Sequence, residues 1–122
     1  MSQVSGTTFD LYGVSFTDIN NGTVVGNGGT ILHTTNGGTT WVAQASGTTN
    51  RLFAVSFTDS KTGTATGALG TIAHTTDGGD TWIAQASGRL NSLFSVSFAD
   101  ANNGIAVGAF GSIFRTTNGG TD

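Results

Sequence analysis

Apolar and polar positions alternate in short bursts along this chain, and the bursts return on a fixed beat. In Leu52-Phe53-Ala54-Val55-Ser56-Phe57, strict alternation puts Phe53, Val55 and Phe57 on one face of an extended strand. Ala54 and Ser56 take the other face, small enough for a neighbouring sheet to pack closely. The pattern predicts a first strand over residues 52–59. Three more follow, over 64–68, 71–76 and 82–87, separated by turn signals rich in Gly, Asn and Asp. Gly and Asn at such bends supply the positive φ angles that tight hairpins demand.

The same four-strand pattern recurs every 41 residues. Leu11, Leu52 and Leu93 open LYGVSFTD, LFAVSFTD and LFSVSFAD, and the offset also relates His33 to His74, Trp41 to Trp82, and Asn36 to Asp77 and Asn118. Four short antiparallel strands in a repeat of about 40–50 residues are the signature of a propeller blade. The expected fold is therefore all-β, a β-propeller of four-stranded antiparallel blades with three 41-residue repeats in a single domain, 1–122. Repeat 1 covers 11–51, repeat 2 covers 52–92, and repeat 3 covers 93–122 without a fourth strand of its own. Gln3 falls in register with Gln44 and Gln85, so residues 1–10 read as the fourth strand of a neighbouring blade plus a linker, a circular permutation of the repeat. Propellers typically have about 4–8 blades. Three blades leave apolar faces and strand edges in water, so the ring is expected to close by oligomerisation. A homodimer gives six blades, and a homotrimer giving nine is the alternative.

Composition narrows the function. The chain has 122 residues with 20 Gly, no Pro and no Cys; its seven acidic residues are all Asp, and the net charge is −3. Only Arg51, Lys61, Arg89 and Arg115 are basic, too few for the electrostatic footprint of a nucleic-acid binder. No stretch is long and apolar enough to span a membrane, and no leader pattern opens the chain. Without cysteine there are no disulfides, and the compartment stays open.

The segment from Thr34 to Trp41, TTNGGTTW, resembles the Asp-box of bacterial neuraminidase repeats, S/T-x-D-x-G-x-T-W, and Thr75 to Trp82, TTDGGDTW, matches it with the acid in place. The third copy keeps Thr116, Asn118 and Gly120. Together with the preceding Gly29-Thr30-Ile31-Leu32-His33, the box is similar to the repeats of the photosystem II stability/assembly factor family. That resemblance implies longer relatives with more blades that act as assembly factors rather than enzymes. It also implies that the box is a turn at the outer rim, so Asn36, Trp41, Asp77, Trp82 and Asn118 are structural. At the position of His33, His74 and Arg115 the family often carries Arg, which implies a cationic strip. The plainer reading of these three is a polar side chain settled between blades.

Sialidases also carry Asp-boxes, but their chemistry uses a Tyr–Glu pair, and this chain has no Glu and only Tyr12. No catalytic residue, cofactor or metal is expected. His33 and His74 sit on sheets expected to be about 10 Å apart, too far to share one ion, and the Asp-Asn-Gly loops at 18–22 and 100–104 lack the bidentate Glu of a calcium loop. Ligand binding is instead expected on the face that carries the inter-blade loops and the hairpin tips, at Asn50, Arg51, Leu69, Arg89, Asn91 and Phe110, with Phe9, Asp10, Asn27 and Leu90 beside them. The expected function is a non-enzymatic binding or scaffold propeller with a protein or glycan ligand. Two alternatives are a glycan-binding lectin assembled from the blades of several subunits, and an engineered or excised propeller fragment without a biological ligand.

Overall fold

The computed structural model describes residues 2–120; Met1, Thr121 and Asp122, at the ends of the expected segments 1–10 and 93–122, lie outside the described residues. Among the described residues, eleven strands form three antiparallel sheets. The first holds β1 (Leu11–Phe16), β2 (Gly22–Gly26), β3 (Ile31–Thr34) and β4 (Val42–Gln44); the second holds β5 (Leu52–Phe57), β6 (Gly63–Gly67), β7 (Thr71–Thr75) and β8 (Ile83–Ala86). The third holds β9 (Leu93–Phe98), β10 (Gly104–Gly108) and β11 (Ile113–Thr116). Each sheet is a meander, and the three are successive blades of a propeller. No helix among the described residues is long and apolar enough to cross a membrane.

Strand ends fall where side chains capture the backbone. β5 stops at Phe57 rather than running to residue 59, because Asp59 Oδ1 accepts the amides of Lys61 and Thr62 at 2.8 and 2.7 Å and turns the chain. Asp18 and Asp100 cap the matching turns, each accepting two backbone amides. β6 ends on Gly67, where a Cβ would run into the Arg51 carbonyl; Gly26 and Gly108 face the Asp10 and Ser92 carbonyls in the same way. Close backbone approach, rather than an unusual φ, requires glycine there.

Strict alternation fails at the start of each first strand. Leu52 pairs with Gly67 and Ala54 with Thr66, leaving Phe53 as the extra residue of a bulge, and the same shift occurs in β1. Phe53 therefore does not join Val55 and Phe57 in the core. Its ring lies instead against Tyr12 at 5.5 Å and Phe94 at 5.2 Å, the equivalent residues of the blades on either side.

The core lies between blades. Val25 and Ile31 of the first blade meet Leu52, Val55, Ala65, Ala73 and Trp82 of the second, with Phe57 packed against them. Adjacent innermost strands are also tied by hydrogen bonds from the Phe57 amide to Ser15 Oγ, 3.1 Å, and from the Phe98 amide to Ser56 Oγ, 3.2 Å. The middle blade is covered on both sides, and every residue of β6 is buried. The outer flanks are open and apolar: Val14 and Phe16 are exposed on the first blade, Ile105 and Val107 on the third.

Residues 2–6 form no strand within the single chain. Even so, Gln3 Nε2 donates to the Gly37 carbonyl at 3.3 Å, as Gln44 does to Gly78 and Gln85 to Gly119, each at 3.2 Å. The N-terminal segment thus lies against the first blade as the fourth strand of a preceding blade would.

Candidate functional site

The Asp-box turns are self-contained. Asp77 Oδ1 accepts the Thr75 hydroxyl at 2.8 Å and the Thr81 amide at 2.9 Å, while Oδ2 accepts the Thr81 hydroxyl at 2.6 Å. These bonds, those from Thr81 foremost, hold the Asp77 carboxyl at a pKa of about 2. In the first blade Asn36 Oδ1 accepts the Thr34 hydroxyl and the Thr40 amide, and its Nδ2 donates to Thr40 Oγ1 at 2.8 Å. The threonine hydroxyl simply reverses its role. Asn118 accepts the Thr116 hydroxyl in the same way at 2.9 Å. Behind the turns, Trp41 meets Phe16 and Trp82 meets Phe57 edge to face, at 6.3 and 5.9 Å. Every polar group of Asp77 and Asn36 that these bonds name is engaged with the turn itself.

His33, His74 and Arg115 occupy equivalent positions on β3, β7 and β11, but their surroundings divide them. His33 Nδ1 pairs with Thr23 Oγ1 at 3.0 Å and His74 Nδ1 with Thr64 Oγ1 at 2.9 Å, both directly across the hairpin. Burial pushes both imidazoles below their ordinary pKa, with Asp80 opposing the effect at His33. Both rings are therefore neutral at pH 7. The third blade has Ile105 opposite Arg115 in place of the threonine, and Arg115 is exposed. One cation and two neutral rings line this row at pH 7. Among the described residues, no three His, Cys, Asp or Glu are grouped to hold a metal ion.

The loop face is organised differently. The tips after β2, β6 and β10 are single 3-10 turns at Asn27–Gly29, Ala68–Gly70 and Ala109–Gly111. Their central residue is left-handed: Gly28 at φ 67° in the first blade, but Leu69 and Phe110, each at φ 58°, in the others. A bulky residue there costs on the order of 1–3 kcal/mol, and neither side chain recovers that cost by burial, since Leu69 is 59% and Phe110 94% exposed.

Neighbouring residues lock these tips. Asn50 Nδ2 donates to Thr71 Oγ1 at 2.9 Å, and that hydroxyl donates to the Ala68 carbonyl at 2.6 Å. Asn91, Ser112 and Ala109 repeat the relay at 2.9 and 2.7 Å. Asn50 and Asn91 therefore act first on the protein, as positioning residues. Arg51 Nε donates to Asn27 Oδ1 at 2.7 Å and so bridges to the tip of the preceding blade. The Arg89 backbone is pinned by Ser87 Oγ, which accepts its amide and donates to its carbonyl, and its side chain is exposed. Phe9 and Leu90 are exposed beside the tips, 56% and 78%.

The row Tyr12, Phe53 and Phe94 runs across the three blades at this same end, because each follows directly on the residue that pairs with the last Gly before a tip. Strict alternation hid this row by placing Phe53 on one face with Val55 and Phe57. The signal that finds it is an aromatic residue recurring every 41 positions after each opening Leu.

The family model of the photosynthesis system II assembly factor YCF48 matches residues 3–86. No curated protein sequence matches the chain. Two solved structures are close in fold: one described as YCF48 bound to D1 peptide, TM-score 0.85, and YCF48 from Cyanidioschyzon merolae, TM-score 0.82. Each is 27% identical over 96% of this chain, which spans 40% and 39% of theirs. By fold, repeat and family match together, the chain belongs to the family of the photosynthesis system II assembly factor YCF48.

Proposed function

We propose that the chain is a non-enzymatic binding module that receives a protein segment across its loop face. The observation that carries this reading is the pair of apolar side chains, Leu69 and Phe110, held out into water on left-handed backbone. Strain kept in place by an Asn-hydroxyl-carbonyl relay at two tips is what a preorganised contact surface requires. The aromatic row beside the tips offers stacking area, and Arg51 and Arg89 offer donors to main-chain carbonyls or a carboxylate. A relative solved with a D1 peptide bound supports a peptide as the ligand class; the lectin and fragment readings gain no such support.

The test is a fluorescence-anisotropy titration of a labelled D1 peptide against the chain and a variant with Arg51→Ser, Arg89→Ser and Phe110→Ser combined. Binding by the parent and its loss in the variant, with an unchanged circular-dichroism spectrum, is the expected result. Loss of binding on changing Asn36 and Asp77, without loss of stability, would overturn the assignment to this face.

A further inference from the structure

The loop tip of the first blade is built differently from the other two. It reads Asn27-Gly28-Gly29 where they read Ala68-Leu69-Gly70 and Ala109-Phe110-Gly111. Asn27 Oδ1 accepts Arg51 Nε at 2.7 Å, a bond that neither alanine tip can make. The asparagine that steadies the other tips is also missing here. Phe9 stands where Asn50 and Asn91 stand one and two repeats later. The amide that backs the hydroxyls of Thr71 and Ser112 therefore has no equivalent behind Thr30, whose hydroxyl bonds the Asn27 carbonyl at 2.7 Å.

An Asn-Gly pair can close on itself. The glycine nitrogen attacks the asparagine Cγ, the new C–N bond forms, and ammonia leaves with the proton from that nitrogen. Water then opens the succinimide ring at either carbonyl and gives aspartate or isoaspartate. Glycine permits the closure because it has no Cβ to crowd the ring. The reaction needs a glycine nitrogen free to attack, an asparagine side chain free to turn, and support for the negative oxygen forming at Oδ1.

The chain holds five Asn-Gly pairs, and the fold protects four of them. Gly37 and Gly119 donate their amides to the Asn20 and Asn102 carbonyls, each at 2.9 Å. Gly22 and Gly104 are buried in β2 and β10, and the Nδ2 groups of Asn21 and Asn103 hold the Asp18 and Asp100 carboxylates. At the fifth pair, Gly28 is exposed. The backbone bonds of its tip come from the amides of Gly26, Asn27 and Thr30, and Gly28 is not among the donors. The bond from Arg51 places a cation on the Asn27 oxygen where charge would develop.

We propose that Asn27-Gly28 is a self-modifying site, deamidating ahead of every other Asn-Gly pair with Arg51 stabilising the oxyanion. Water enters and ammonia leaves, so no other reactant is needed. The product carries a carboxylate at position 27 opposite Arg51, and the net charge becomes one unit more negative than −3. Of the two arginines on the loop face, Arg51 then gains a partner of opposite charge while Arg89 keeps its own. The isoaspartate form also lengthens the backbone of the tip by one methylene. This chemistry belongs to the chain alone and stands whether or not the loop face receives a protein segment.

The experiment incubates the whole chain at neutral pH and body temperature and follows each asparagine by tandem mass spectrometry. Asn27 is expected to gain one dalton ahead of the asparagines in the other Asn-Gly pairs, and isoaspartyl methyltransferase should label the same position. Gly28→Leu, which gives this tip the residue of the second blade, should all but stop the change. Arg51→Leu should slow it about three- to tenfold, the worth of one charge-assisted hydrogen bond at an exposed site. In urea the Arg51→Leu difference should vanish, because the fold brings Arg51 to Asn27. Deamidation that starts at another pair, or none at Asn27, overturns the proposal. So does an Arg51→Leu variant with an unchanged circular-dichroism spectrum that deamidates as fast as the parent.

Discussion

Gln44 and Trp82 sit in different blades, and the indole N–H of Trp82 reaches Gln44 Oε1 while the amide of the same glutamine holds the Gly78 carbonyl. One side chain thereby fastens the last strand of one blade to the core tryptophan and the rim turn of the next. Trp82 is only 8% exposed. Trp82→Ala should cost about 3–5 kcal/mol in urea unfolding, and Trp82→Phe about 1–2 kcal/mol, since it keeps most of the ring but leaves Gln44 Oε1 unpaired. Trp41, which is only half-buried, should show the smaller loss on the same change to alanine.

The glycine under that glutamine is a second test of the fastening. Gly79 has φ 96°, and a Cβ on it would collide with Gln44 Oε1; Gly47, at φ 82°, faces open space. Both alanine variants carry backbone strain, but only Gly79→Ala also displaces Gln44. Gly79→Ala should therefore lower the unfolding midpoint further than Gly47→Ala, and combining it with Gln44→Ala should recover part of the difference.

The loop tips should trade stability for binding. Leu69→Gly and Phe110→Gly remove a bulky residue from left-handed backbone and should each raise unfolding stability by about 0.5–1 kcal/mol. The same changes should weaken binding of a labelled D1 peptide. A rise in stability with unchanged affinity would separate the tips from the ligand.

Two neutral imidazoles make the fold sensitive to mild acid. Burial lowers the folded pKa of His33 and His74 below the ordinary 6.5, so the unfolded chain binds protons more readily than the folded one. Their contribution is full above pH 6.5 and is lost as pH falls from there toward the folded values. Urea midpoints should decline between pH 7 and pH 5, and the decline should flatten in a His33→Asn, His74→Asn double variant. Asp77 acts in a separate window. With its folded pKa near 2, its contribution is full above the unfolded 3.8 and lost as pH falls through 2, a loss that Asp77→Asn should remove.

The blades were legible because a 41-residue period carries its own evidence: Leu11, Leu52 and Leu93 do open three equivalent strands. The bulge was not legible, because period-two alternation has no signature for one inserted residue, and Phe53 was misplaced as a result. The pairing of His33 with Thr23 and of His74 with Thr64 depends on hairpin register, which composition does not encode. The loop-face residues could be grouped by strand direction alone, yet the strain at Leu69 and Phe110 and the relay through Asn50 and Asn91 exist only in backbone angles and cross-loop distances.

The rotating hydroxyl of the Asp-box has a consequence for how such arrays diverge. Asn36 and Asp77 each make three hydrogen bonds within their turns, because Thr40 receives where Thr81 gives. A blade can therefore exchange a carboxylate for an amide at its rim and keep the same turn. Repeated copy by copy, this lets a lineage tune the charge around its circumference, and with it solubility and long-range attraction, while the geometry that presents the loop tips stays constant.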